Sequence, residues 1–178
     1  MNYRLSRIAA ICGGKFSGCD SEVRSVVTDS RSLSCELGCR PMFVAMRGAN
    51  HDSHDFIAGM QSRGVRAFLV ERGVEASSCT GECGFVQVDN AIEALQRLAA
   101  YHRAQFRGTV VGITGSNGKT VIKEWIAEEL PEGMKYYRSP KSYNSQLGVP
   151  LSVLMLEGDE ELAIFEAGIS KPGEMERL

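Results

Sequence analysis

The sequence lacks an excess of charge of either sign. It sets 20 lysines and arginines against 22 aspartates and glutamates, for a net charge of -2. That excludes a nucleic-acid or membrane surface built on bulk charge. No apolar run approaches the ~18 residues of a membrane span. Residues 1–7 lead into only a short apolar stretch, residues 8–12, with no cleavage signal behind it. The expectation is a soluble, cytoplasmic chain with no nucleic-acid or membrane partner. Zinc-type spacing is missing too. Cys35/Cys39 and Cys79/Cys83 are separated by three residues, with Cys12 and Cys19 upstream, whereas compact zinc sites use two-residue spacings or Cys/His pairs. A secreted disulfide framework needs a signal sequence, so reduced thiols are expected. There is no repeat, no low-complexity tract and no long Ser/Gly linker.

What the chain has is enough apolar material to fold. It is 178 residues long and 43% hydrophobic, which excludes disorder and permits one large domain or two small ones. Leu5, Ile8, Ala9 and Cys12 recur at helical spacing until Gly13 and Gly14 stop the pattern. Short strands are predicted at residues 25–28, 41–46, 65–70 and 85–88, with a helix over 53–63. Asn90 can cap a helix reaching about residue 106, with Ile92, Leu95, Leu98, Ala99 and His102 at helical spacing. After residue 106 the pattern changes to strand 109–114, a glycine turn, helix 119–130, strand 134–137, a helical or mixed element at 146–156, and strand 162–167. That is the grammar of a parallel α/β sheet. The expected organisation is a small mixed α/β domain over 1–106, including a connector helix, and an α/β domain of P-loop type over 107–178. With about three strands where such sheets usually have five or six, the second domain is expected to stop part-way.

The strongest chemical signal is TGSNGKT, residues 114–120. A strand delivers the chain to a glycine bend, and a helix begins at the lysine. Glycines let successive N–H groups turn inward around phosphate oxygens, and the helix N-terminus adds partial positive charge and unpaired donors. Gly115, Ser116, Asn117, Gly118, Lys119 and Thr120 are therefore expected to bind ATP, with Lys119 neutralising the outer phosphates and the Thr120 hydroxyl on Mg²⁺. The strict G-x-x-x-x-G-K-[ST] pattern is broken at one position, where Ile113 fills the first glycine slot. Glu166 ends a predicted strand where an open α/β sheet presents its ligand-facing residues, and its carboxylate is a second candidate for Mg²⁺. Asn144 stands either near substrate or metal, or as a helix N-cap.

TGSNGKT, YNSQLGVPLSVL (143–154) and FEAG…PGEM (165–175) together resemble the central domain of the Mur ligases. These are ATP-dependent amide-bond enzymes that build the peptidoglycan stem peptide. Upstream, TDSR (28–31), PMFVAMRGANHDSHDFI (41–57) and GVRAFLVE (64–71) are similar to the uridine-nucleotide-binding N-terminal domain of the same family. The segments look most like the branch that joins D-alanyl-D-alanine to UDP-N-acetylmuramoyl-tripeptide through an acyl phosphate. The resemblance implies that Lys119 and Asn144 are catalytic and that Thr120 and Glu166 hold Mg²⁺. It implies further that Ser30, Arg31, Gly48, Ala49, Asn50 and His51 surround the UDP part of the UDP-N-acetylmuramoyl-peptide.

The family pattern is not followed everywhere. Asp52-Ser53-His54 replaces D-G-H, removing a turn glycine, and Gly168-Ile169-Ser170-Lys171 replaces G-A-N-H, removing side chains that could assist a second metal. The family also uses the rest of the central domain and a C-terminal domain that brings the amine. Two other readings stay open: a nucleotide-binding module without ligase chemistry, and a related ligase, either the preceding amino-acid-adding enzyme or a folate polyglutamate ligase. TDSR speaks against the folate enzyme. Trp125, Met42, Met46 and Met155 are expected to pack in the core, and His54 and His102 are not expected to be catalytic.

Overall fold

The computed structural model describes residues 1–32, 40–48, 52–71, 82–140, 143–169 and 173–175. The chain forms two compact units, Met1–Arg97 and Leu98–Leu178. The sequence reading cuts the chain at 106/107, behind the connector helix; the compact units part within that helix, α3 (Ala91–Arg103).

In the first unit, β1 (Tyr3–Arg4) pairs antiparallel with β3 (Glu22–Val23). The main sheet has five strands: β2 (Lys15–Gly18), β7 (Gly84–Val88), β6 (Ala67–Glu71), β5 (Pro41–Val44) and β4 (Ser25–Val27), in that spatial order. All neighbours run parallel except β2, which pairs antiparallel with β7. Parallel strands covered on both faces read as continuous apolar runs, and Ala67, Phe68, Leu69 and Val70 are all buried. The register aligns Phe43, Phe68 and Phe85 in one row across three strands. The rings of Phe68 and Phe85 stack at 5.3 Å between centroids. Ile57 and Met60 of α2 (Ile57–Ser62) close that face. Helix α1 (Leu5–Cys12) buries Leu5, Ile8, Ala9 and Cys12, the stripe expected from its spacing, and Gly13 ends it. The Asn90 side chain caps α3 by accepting from Glu93 N–H at 3.0 Å.

The second unit carries a three-stranded parallel sheet in the order β8 (Thr109–Ile113), β10 (Leu162–Glu166), β9 (Tyr136–Arg138). Helix α4 (Lys119–Glu128) follows β8, and α5 (Gly148–Val153) precedes β10. Ile113, Leu162 and Ile164 form its core with Val111, Ile126, Leu130 and Met134. Trp125 corrects an expectation. It is 64% exposed, because α4 turns Lys123 and Ala127 inward and leaves Val121, Ile122 and Trp125 on its outer side. Met155 is exposed as well, whereas Met42 is in the core. Cys12 and Cys83 are buried free thiols and Cys19 is an exposed one; Cys35, Cys39 and Cys79 lie outside the described residues. Burial pushes the Cys12 thiol up to about 12. No helix among the described residues is long and apolar enough to cross a membrane.

Phe68 is fully buried in the middle of the aromatic row. Phe68→Ala is expected to cost ~3–5 kcal/mol through lost burial and the cavity left behind, read as a lowered urea midpoint by circular dichroism.

Candidate functional site

Strand β8 ends at Ile113, and residues 114–118 bend the chain into α4. Gly115 has φ +142° and Gly118, the residue preceding the first helical position, has φ +77°. Both are backbone conformations that side chains with a Cβ resist. Ser116 and Asn117 stand exposed at the tip of the bend. The Lys119 ammonium reaches back over the bend and donates to Gly115 O at 2.6 Å.

Glu166 comes to the same place through strand pairing. It is the last residue of β10 and lies opposite Ile113, the last residue of β8. Its side chain is completely buried, contrary to the ordinary solvent position of a strand-end glutamate. One carboxylate oxygen, Oε2, accepts from the Thr120 hydroxyl at 3.1 Å. The other, Oε1, lies 2.8 Å from Lys123 Nζ, an ion-pair distance without hydrogen-bond alignment. Lys123 is itself fully buried and donates to Ser139 O at 2.7 Å. Its ammonium also lies 3.4 Å from the Glu124 carboxylate, which pairs in turn with Arg138.

Asn144 sits beside the end of β10. Its carbonyl accepts from Gly168 N–H at 2.7 Å, and Gly168 packs so closely that a Cβ there would come within 3.1 Å of the Asn144 side chain. It does not cap the next helix. The residue at the N-cap position is Leu147, without a side-chain cap, and the first helical N–H, of Gly148, donates to Ser145 Oγ at 3.0 Å. The bend, Lys119, Thr120, Glu166 and Asn144 are thus gathered at the C-terminal ends of β8 and β10, the end at which open α/β sheets bind ligands.

The remaining expected site residues belong to the first unit. Ser30, half-buried, and Arg31, exposed, form a turn after β4. The Arg31 guanidinium grips Asp29 through Nε–Oδ1 at 3.0 Å and Nη2–Oδ2 at 2.8 Å, and Ser30 O accepts from Arg63. Gly48 is exposed beyond β5. Ala49, Asn50 and His51 lie outside the described residues. The described residues on either side of them are held by hydrogen bonds. Ser53, in place of the usual turn glycine, accepts from Met46 N–H at 2.6 Å and donates to Met46 O at 2.8 Å. The Glu71 carboxylate accepts from Arg47 N–H at 3.2 Å and Ala91 N–H at 3.0 Å. His54 is structural: Nε2 accepts from Glu71 N–H at 3.1 Å, so the ring proton sits on Nδ1, facing Asp52. His102 Nε2 meets Leu156 O at 3.0 Å, and burial lowers its pKa.

Comparison with known proteins gives the family of the chain. Residues 113–178 match the Mur ligase middle domain. The chain is 33% identical over 175 residues to the UDP-N-acetylmuramoyl-tripeptide–D-alanyl-D-alanine ligase of Escherichia coli (strain K12), which covers 98% of the chain and 37% of that enzyme. The crystal structure of MurF from Acinetobacter baumannii superposes with a TM-score of 0.85 at 28% identity, covering 99% of the chain and 38% of that protein. The chain belongs to the Mur ligase family. A further structural relative is the MurF ligase of Thermotoga maritima, solved in complex with ADP. It has a TM-score of 0.72 at 31% identity and covers 87% of the chain and 34% of that protein. This Mur ligase chain spans about a third of the length of the curated relatives it matches.

Sequence reasoning missed Lys123. The signal was available. Thr120, Lys123 and Ala127 share one helical face of α4, and a lysine placed in line with a buried alanine needs a buried partner.

The Arg31 guanidinium beside Asp29 lowers that carboxyl to about 2, its own hydrogen bonds being the largest cause. A depressed carboxyl favours the folded turn above its ordinary unfolded value near 3.8 and loses that contribution as pH falls through about 2. An NMR titration of Asp29 is expected to show a midpoint near about 2, and Arg31→Ala is expected to return it toward the ordinary carboxylate range.

Proposed function

We propose that this chain is the UDP-substrate-binding and ATP-binding portion of an ATP-dependent amide ligase of the cytoplasm, one that joins D-alanyl-D-alanine to UDP-N-acetylmuramoyl-tripeptide. The observation that carries this reading is the meeting of the glycine bend, Thr120 and Glu166 at the ends of two adjacent parallel strands. Its likeness to ligases of that name over nearly its whole length supports the choice of substrates.

In this reading the N–H groups of residues 115–118 enclose the phosphates. Lys119 leaves Gly115 O for the outer phosphates, and Asn144 stands near the reacting phosphoryl group. Ser30, Arg31, Gly48, Ala49, Asn50 and His51 receive the UDP moiety. The donor set of the second unit fits Mg²⁺. A hydroxyl and one carboxylate oxygen lie 3.1 Å apart, and no group of three or more metal-ligating side chains exists among the described residues. Mg²⁺ is typically held by one or two carboxylates, with substrate phosphates and water completing the shell. Bound there through Thr120 and Glu166, it supplies neutralisation of phosphate charge.

The tripeptide's terminal carboxylate attacks the γ-phosphorus, the bond to the ADP oxygen breaks, and an acyl phosphate results. The amine of D-alanyl-D-alanine then adds to the acyl carbon, phosphate leaves, and the amine loses a proton. Both partners in the first step are anions, so the barrier falls with the positive charge of Lys119 and the oriented amides, and with the fixed placement of the reactants.

Calorimetry on the chain tests the reading. Binding of both a Mg²⁺–ATP analogue and UDP-N-acetylmuramoyl-tripeptide is expected. Lys119→Ala removes a charged hydrogen bond worth ~1.5–3 kcal/mol, so nucleotide affinity is expected to fall ~10–100-fold while UDP-substrate affinity holds. Arg31→Ala is expected to do the reverse. Nucleotide binding without uridine binding overturns the ligase assignment in favour of a nucleotide module, and binding of neither overturns both. Residues 1–178 alone are expected to show negligible ligation.

A further inference from the structure

The Lys123–Glu166 pair has no assigned task in phosphate binding. Both side chains are completely buried. A buried ion pair is weak grounds for stability, since apolar residues of the same volume often serve as well. Its geometry is specific, however. Lys123 occupies Oε1 of the carboxylate, Thr120 faces Oε2, and Ser139 O fixes the ammonium from the other side. Only Oε2 is left on the Thr120 side for a cation.

We propose that Lys123 is a specificity-determining residue that holds Glu166 to one-oxygen coordination and thereby selects Mg²⁺ over Ca²⁺. The inference rests on the Thr120–Glu166 metal reading above. Mg²⁺ takes six oxygens in a tight octahedron and is satisfied by single-oxygen carboxylate contacts, whereas Ca²⁺ takes six to eight and gains from two-oxygen ones. The pair also removes net charge from the site. Glu166 is balanced by Lys123 and Glu124 by Arg138, so the cation is drawn in by nucleotide phosphates and not by the bare protein.

Mn²⁺ paramagnetic resonance on the chain, with and without a non-hydrolysable ATP analogue, tests this. For the wild type a protein-bound Mn²⁺ spectrum is expected only with the analogue, displaced by Mg²⁺ at lower concentration than by Ca²⁺. Lys123→Met frees Oε1 and leaves the carboxylate unbalanced. It is expected to narrow the Mg²⁺/Ca²⁺ preference at least fivefold and to produce nucleotide-free Mn²⁺ binding. Lys123→Gln, which removes the charge but keeps a hydrogen-bond donor, is expected to produce nucleotide-free binding with a smaller loss of preference, and it replaces the methionine variant if that one does not fold. A folded variant with unchanged preference and no nucleotide-free binding overturns the proposal. So does a wild type that takes Ca²⁺ as readily as Mg²⁺, without recourse to any variant. Failure of the wild type to bind Mn²⁺ even with the analogue overturns the metal reading itself, and is distinguished by that absence.

Discussion

Parallel pairing of β8 with β10 is the constraint on which the second unit's site depends. The register sets Ile113 opposite Glu166, and Ala167 N–H donates to Ile113 O at 2.8 Å, so the two strands finish side by side. One then turns into the glycine bend and the other presents a carboxylate. Helix α4, leaving the bend, carries Thr120 and Lys123 three residues apart on one face, and both meet that carboxylate. A one-residue slip in this pairing would turn Glu166 to the opposite face of the sheet. The hydroxyl, the ammonium and the carboxylate converge because of backbone register, with no need for a long loop to bring them together.

The two units hold their polar groups by different physics. In the first, the turn of residues 29–31 relies on the solvent-exposed Arg31–Asp29 pairing, which water screens. The segment flanking residues 49–51 is fastened by hydrogen bonds to backbone groups, from Ser53 and Glu71. In the second unit the ion pair is buried on both sides, and removing Lys123 would leave the Glu166 carboxylate without its counter-charge at a cost of ~3–5 kcal/mol. A screened turn tolerates adjustment, as the proposed UDP moiety would require. A dry pair does not, which suits the proposed small ion with its strict geometry.

Much of this was legible in the residues. TGSNGKT announces its bend because glycine, lysine and threonine at those positions serve one purpose, and the strand before it and helix after it follow from apolar periodicity. The continuous apolar runs at residues 41–44 and 67–70 declare strands buried on both faces. Strand β2 was not legible, since its residues KFSG are short, largely exposed and held only by an edge pairing with β7. Trp125 misled because aromatic residues are usually core, and periodicity alone does not say which side of α4 meets the sheet. Lys123 was passed over because lysines on helices are ordinarily solvated. Its partner is 43 residues away in sequence, and only the β8–β10 pairing brings it near.

The charge arrangement leaves the bend as the point of the second unit at which the proposed polyphosphate would be attracted. Lys123 is balanced by Glu166, and Arg138 by Glu124. The Lys119 ammonium donates to a backbone carbonyl, Gly115 O, a neutral group that a phosphate oxygen can replace at a gain, because hydrogen bonds between ionised partners are about twice as strong as neutral ones. The helix N-terminus adds its partial positive charge at the same point. On the proposed metal reading, cancelling the buried charges lets a cation arrive with the anion it accompanies and keeps the carboxylate from drawing metal before nucleotide is present.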